Sequence, residues 1–447
     1  MCLIGGLGLV ACRDVISLER AGEAESLPPA PQVEATVTVD APALVEAGTL
    51  EPAVEPAPTF GRPAATPIPD PDLRNIDFGL VPSGGTVTVS LGPGDVSLLF
   101  YVRAEPAERY LVIDRIVEPS GAVLYDLNRA SGVVSGEMFE HRLENNGAVA
   151  VYLPLAPQFD LVPGDYSFTF RTGDGDPPEE VGAIIRSGPV DEAQVLDLNF
   201  WILSSYLPFF TADSQNTIIS QLRAEMDATL RPHNLQVGTI NFIEASPAAK
   251  ESLAELAGLP LAGRLSQLCL AMAAEVGQAR ALRVVLLDDF GRPVAGTGPA
   301  ALLTAGQIVP LPADTETLPV PSQGATTGQP GPVLVDHSAQ SCVAIAVGQD
   351  YDFRQNRQGL NILRQASRLM GLAYTTAPEG VTFDRLADTP ECQRESFDRN
   401  GDDLVEAGEC AEADAGNYLF WAEGGTTMTA AQAWTLRRHP LWRPLTP

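Results

Sequence analysis

The sequence predicts a multidomain protein in which an antiparallel β-sandwich precedes an α+β domain. Three observations predict it. Short runs alternate apolar and polar residues from about Asn75 to Thr172, and Gly, Pro and Asp punctuate them. After about Val190 the order changes to strands interleaved with helical periodicity. Hydrophobic residues make up 45% of the 447 residues, enough for a sizeable core.

The N-terminal stretch MCLIGGLGLVAC, Met1 to Cys12, is apolar and too short to span a bilayer. Leu9-Val10-Ala11-Cys12 matches the bacterial lipobox, in which the cysteine after a small residue is lipidated. Residues 1–11 are thus expected to be a lipoprotein signal and Cys12 the lipid-bearing residue; the usual basic n-region is missing. An ordinary cleaved signal with an incidental cysteine is the competing reading. The expected location is the bacterial cell envelope, lipid-anchored to a membrane, with the outer membrane one candidate.

Residues 12–74 are rich in Pro, Ala, Glu and Val, with too little apolar bulk to offset chain entropy. They are expected to form a disordered tether. The formal net charge of -29 suits a well-hydrated exterior protein and excludes nucleic acid as a partner, because the phosphate backbone would repel it.

Residues 75–176 carry the sandwich pattern. TVTVSLG (86–92), VSLLFYVRA (96–104), RYLVIDRIVEPSGAVLYDL (109–127), AVAVYLPL and DYSFTFRTG are strand-length and turn-bounded. The EPSGAVLYD hairpin and LVPGDYSFTF resemble bacterial pre-peptidase domains, which accompany secreted proteases.

Residues 190–447 carry the mixed pattern. AQVLDLNFWIL, LQVGTINFIEA and ALRVVLLDDF read as strands, whereas SQNTIISQLRAEMDATLRPH (214–233) and LSQLCLAMAAEVG read as helical. PVLVDHS and CVAIAV follow, then LNILRQASRLMGLAYTT (360–376), an amphipathic helix ending at Gly371. GTGPAALL (296–303) lacks a Gly-Lys-Ser/Thr, which excludes a phosphate-binding loop.

With its glycine set on Gly371, that helix resembles the zinc-protease motif H-E-x-x-H-x-x-G-x-x-H. RLADTPEC (385–392), NYLFW (417–421) and MTAAQAWTLRRHP (428–440) follow in the order of conserved segments of pappalysin-type metzincins. The resemblance implies a metzincin-like fold and places the motif on Arg364, Gln365, Arg368, Gly371 and Tyr374, with Leu419 at the Met-turn methionine. The chemistry is replaced. Arginine has no lone pair for zinc, and Gln365 cannot act as a general base. The histidines His141, His233, His337 and His439 are scattered, and Asp336 with His337 is too small a set for a catalytic zinc. Zinc is therefore not expected. Arg364 and Arg368, one turn apart, would suit a carboxylate or would pair with local acids.

DRNGDDLVEAGE, 398–409, is spaced as a twelve-residue calcium loop inserted in this domain. Asp398, Asn400 and Asp402 stand at positions one, three and five, Leu404 offers a carbonyl at seven, and Glu409 is the bidentate candidate at twelve. Asp403 replaces the bend glycine and must reach a left-handed conformation. Excluding Cys2 and Cys12, four cysteines allow three pairings. Cys392–Cys410 is favoured because it closes a short loop, leaving Cys269–Cys342. The expected function is a non-catalytic, surface-anchored binding or structural module with calcium as cofactor and a protein or peptide ligand. A metallopeptidase with a non-standard metal site and a purely structural envelope module are the alternatives.

Overall fold

The computed structural model describes residues 70–105, 109–127, 144–203, 212–255, 261–276, 280–287, 303–304, 307–308, 342–346, 358–422 and 425–445. All of them lie in one compact unit, Thr59–Pro447. The signal segment, Cys12, nearly all of the expected tether, His141, Asp336, His337 and the 296–303 stretch apart from Leu303 lie outside the described residues.

The fold is β-rich and multidomain. Its first part is a two-sheet sandwich of β1 (Leu73–Asp77), β2 (Thr86–Leu91), β3 (Asp95–Arg103), β4 (Tyr110–Val117), β5 (Val123–Asp126), β6 (Glu144–Asn146), β7 (Ala148–Leu153), β8 (Gly164–Thr172) and β9 (Glu180–Ser187). One sheet runs β1-β9-β3-β7; the other runs β2-β8-β4-β5, with β6 also on β4. All pairings within the two sheets are antiparallel.

The alternation in β2 does what its period demands: Val87, Val89 and Leu91 are buried while Thr86, Thr88 and Ser90 face out. Phe100 from one sheet stacks on Phe168 from the other, centroids 4.3 Å apart. The domain extends past the expected end at 176, because β9 pairs with both β1 and β3. β9 is buried on both faces, so its central run Val181–Ile185 is apolar throughout rather than alternating.

The second part is built on β10 (Gln194–Ile202), α1 (Ala212–Leu230), β11 (Leu235–Glu244), α2 (Pro247–Glu255), α3 (Leu261–Val276), β12 (Leu282–Leu287), a short ladder of β13 (Leu303–Thr304) and β14 (Gln307–Ile308), and β15 (Val343–Ala346). It continues with α4 (Gln358–Leu369), α5 (Arg394–Phe397), α6 (Ala430–Arg438) and β16 (Arg443–Pro444). The sheet order is β11-β10-β12-β15, every pair parallel, with β16 antiparallel on β10. Parallel neighbours need crossovers; α1 lies on the one from β10 to β11, and α2 and α3 on the one from β11 to β12.

The central strand β10 splits its side chains between two layers. Leu198, Phe200 and Ile202 join α1 and α4 in one core; Trp201 joins α3 in the other. Gly359 lets α4 approach α1 closely, since a Cβ there would lie 2.8 Å from the Leu222 carbonyl oxygen. Both disulfides are present, Cys269–Cys342 and Cys392–Cys410, with Cα separations of 5.4 and 5.6 Å. The first ties α3 to the start of β15.

The outer face of the sandwich sheet meets the α-helical side of the second part. Tyr152 donates its hydroxyl to the Thr435 carbonyl at 3.1 Å, and Thr435 donates to the Leu155 carbonyl at 3.0 Å.

Candidate functional site

Helix α4 presents Leu360, Leu363, Ala366, Leu369 and Met370 to the core, as its apolar spacing requires. It ends in a Schellman motif. Gly371 N–H donates to the Arg368 carbonyl at 3.1 Å and Leu372 N–H to the Ser367 carbonyl at 3.0 Å. Gly371 has φ +95°, a conformation that L side chains rarely adopt. That reversal brings the chain back along the helix, and Thr375 N–H then donates to the Leu419 carbonyl at 3.1 Å.

Tyr374 returns to Arg368. The guanidinium donates to the phenol oxygen at 2.9 Å and stacks on the ring, 4.1 Å from its centroid. Gln365 accepts weakly from the same guanidinium at 3.4 Å. Arg364 takes a different course. Its Nη2 donates to the Phe420 carbonyl, to Trp421 at 3.0 Å and to Ala422 at 3.4 Å. Both arginines are 5% exposed. Leu419 is fully buried in the α4 core, in a turn closed by its own N–H to Asn417 Oδ1 at 2.8 Å.

Gln365, Arg368 and Tyr374 are therefore brought together, whereas Arg364 is directed to the 420–422 carbonyls; both guanidinium groups offer donors and no lone pair. Of the histidines, His233 Nε2 lies 3.0 Å from the Met428 carbonyl. His439 is buried, and burial holds its imidazole neutral, with its pKa down at about 3. Among the described residues, the one His/Cys/Asp/Glu grouping with metal-like spacing is Cys392, Cys410 and Asp414. Its sulfurs form a disulfide and offer no thiolate.

Two acids behind the site, the buried Asp414 and the half-buried Asp384, were not singled out from sequence. Asp414 accepts from the Thr375 and Thr376 hydroxyls at 2.6 and 2.7 Å, and burial raises its pKa. Asp384 accepts from the Thr389 hydroxyl and from Leu386 N–H; burial pushes it up to about 7. One oxygen of each, Asp384 Oδ2 and Asp414 Oδ1, is buried without a hydrogen-bond partner. Asp384 takes its partners from the five residues that follow it, whereas Asp414 meets hydroxyls 38 and 39 residues upstream, which no local pattern announces.

The 398–409 loop is organised by its own acids. Asp398 accepts from Gly401 N–H at 2.7 Å and Asp403 N–H at 3.1 Å, Asn400 from Asp402 N–H at 2.9 Å, and Asp402 from Leu404 N–H at 3.0 Å. Glu409 closes the loop, accepting from Arg399 and Asn400 on one oxygen and Glu406 on the other. These N–H donors, Glu406 first, hold its carboxyl below the usual range. Asp403 sits at φ 65°, the left-handed bend its position demands. The carboxylates of Asp398, Asp402 and Glu409 do not meet within 4.8 Å, so joint coordination requires the loop to tighten. Val405 anchors it from beneath: its N–H donates to Pro378 at 2.9 Å and its carbonyl accepts from Trp421 Nε1 at 2.6 Å.

No protein-family model matches the chain, and no curated protein matches it. Solved structures resemble it only distantly. A mutant of xylanase 10C from Cellvibrio japonicus in complex with xylopentaose is 9% identical, with 48% of this chain and 55% of that chain covered at a TM-score of 0.14. An acetyl xylan esterase from the rumen bacterium Butyrivibrio proteoclasticus is 11% identical, with 68% and 75% covered at a TM-score of 0.14. The chain thus spans about half the length of the xylanase. Neither likeness assigns a fold or an activity. Among the described residues, no helix is long and apolar enough to cross a membrane.

Proposed function

We propose that the chain is a non-catalytic binding or structural module, surface-anchored through Cys12, on a metzincin-like scaffold stabilised by calcium. One observation carries the non-catalytic part. Arg364 and Arg368 occupy the two helical ligand positions, and their guanidinium groups donate to carbonyls and to Tyr374. A permanently protonated donor cannot ligate a dication. Tyr374, at the third position, is itself engaged by Arg368. The residues present do not fit zinc.

The helix, the left-handed Gly371, the return of Tyr374 and the Leu419 segment alongside support the scaffold assignment. The calcium assignment rests on the donor set of hard oxygens: Asp398, Asn400, Asp402, the Leu404 carbonyl and Glu409 would hold the ion. Its chemistry there is charge neutralisation and closure of the loop, not reaction.

The test rebuilds the motif. Arg364→His, Gln365→Glu, Arg368→His and Tyr374→His together restore the ligands and base. Metal analysis should find stoichiometric zinc in this variant and none in the parent. A folded variant that takes up no zinc overturns the scaffold reading. Zinc-dependent peptide cleavage by the parent overturns the non-catalytic one.

A further inference from the structure

We propose that Arg368 and Tyr374 form a binding site for a carboxylate group; this rests on the reading of the chain as a non-catalytic binding module. A guanidinium stays protonated at any relevant pH, and removing it from water without a counter-charge is costly. Arg368 is 5% exposed. Its partners are the Gln365 amide oxygen at 3.4 Å, the Tyr374 hydroxyl at 2.9 Å and the Tyr374 ring. Among the described residues none is a carboxylate. Arg103, Arg186 and Arg280, also deeply buried, each face Asp or Glu, whereas Arg364 is held by the 420–422 carbonyls.

The unused hydrogen-bonding capacity points the same way. Arg368 Nε is buried and has no acceptor among the described residues. The Tyr374 oxygen accepts from Nη1, so its own proton remains to be donated. The ring covers one face of the guanidinium and leaves its edge as the interacting direction. What is missing is therefore an acceptor that carries negative charge. A carboxylate meets both needs: it accepts from Nε and from the phenol, has no proton to place, and matches the planar fork of arginine. A phosphate dianion is a poorer match for a chain of net charge -29 with one guanidinium edge on offer. Gln365 and Tyr374 are half-buried and form the rim through which a ligand would enter.

The carboxylate could be a peptide C-terminus or a small organic acid, and the probes separate these. The full chain would be titrated calorimetrically with a capped tetra-alanine bearing a free C-terminal carboxyl, with its C-terminal amide, and with sodium succinate. Phenanthroline would be present, and the peptide checked intact by mass spectrometry. The free acid should bind about tenfold or more tighter than the amide. Binding of the peptide acid above succinate marks a chain terminus as the ligand; equal binding marks any carboxylate, and both support the site. Arg368→Gln should abolish the preference for acid over amide. Arg368→Lys should keep the charge but weaken binding, because the fork is lost. Tyr374→Phe keeps the ring and should lose several-fold, and it decides the matter if Arg368→Gln does not fold. Equal affinity for acid and amide, no binding of any probe, or an undiminished preference in folded Arg368→Gln overturns the proposal. Those results leave the non-catalytic reading standing, whereas cleavage of the peptide would overturn that reading and not this preference.

Discussion

Replacing Gly371 by alanine tests whether the turn after α4 is fixed by its own backbone or by the sandwich beneath it. Two costs combine. The residue sits at φ +95°, which strains any L side chain by about 1–2 kcal/mol. A Cβ would also stand 2.9 Å from Leu155 Cδ2 and 3.1 Å from Tyr152 Cδ1. Leucine can yield by rotating. Tyr152 cannot easily do so, being 2% exposed, bonded to Thr435 and packed 5.1 Å from the His439 ring. Overpacking of this kind costs about 1–3 kcal/mol, so the whole effect should be about 2–5 kcal/mol. Gly401→Ala is the control, because Gly401 has φ +74° and nothing within 4 Å of a Cβ. It should lose the strain part alone. Urea unfolding of the parent, both single variants and Gly371→Ala in a Leu155→Ala background would give the terms separately. The shortened side chain should recover roughly 1 kcal/mol of the Gly371→Ala loss. Equal losses for Gly371→Ala and Gly401→Ala would show that the sandwich does not press on this turn.

Calcium should raise the melting temperature, by roughly 2.7 kcal/mol of stability at a hundredfold excess over Kd, and Glu409→Gln should remove most of that gain in a thermal melt. Because Asp403 already holds the left-handed bend at φ 65°, Asp403→Gly should preserve or tighten calcium binding; weaker binding would make Asp403 a ligand and shift the loop register. Asp384 gives a pH signature. Its folded pKa is raised by burial from 3.8 to about 7, so its contribution is complete below the unfolded value and is lost as pH rises through the folded one. Stability should therefore fall between about pH 4 and 7, by up to about 4 kcal/mol from this group, and level off above. Asp384→Asn should flatten that slope in guanidinium unfolding series at pH 4.5 and 7.5; an unchanged slope would refute the assignment.

What was legible in the sequence was local. The alternation of β2, the apolar face of α4 and its glycine stop depend on neighbours within a few residues, and the short Cys392–Cys410 loop follows from separation alone. β9 was not legible as part of the sandwich, because a strand buried on both faces loses its alternation. β16 is two residues long and gains its identity by pairing with Gln194 and Val195, far upstream. The site divides the same way. The spacing of Arg364, Arg368 and Tyr374 could be read, but not their partners. Arg364 reaches carbonyls 56 to 58 residues away, and no pairing of residue types predicts a bond to backbone. Asp384 and Asp414 look like ordinary surface acids until the fold buries them.

The parts that sequence could not show are also those that hold the site still. Asp70 and Asp72, just ahead of β1 and at the end of the expected tether, bind Arg280 at 2.8 and 2.6 Å. Arg280 also donates to the carbonyls of Pro440 and Trp442, while Arg186 of β9 donates to Arg437 and His439 and to Gln194 at the start of β10. The 437–442 segment is thereby gripped from both sheets, and it leads directly from α6, whose Thr435 bonds the sandwich strand that lies against Gly371. Buried charges of this kind add little net stability, but removing one partner costs about 3–5 kcal/mol, so the arrangement tolerates few alternatives. This support reaches the end of α4 through Tyr152, which packs beside Gly371. Such order lowers the entropy lost when a ligand docks, so the carboxylate site proposed at Arg368 should bind with little rearrangement of the turn at Gly371.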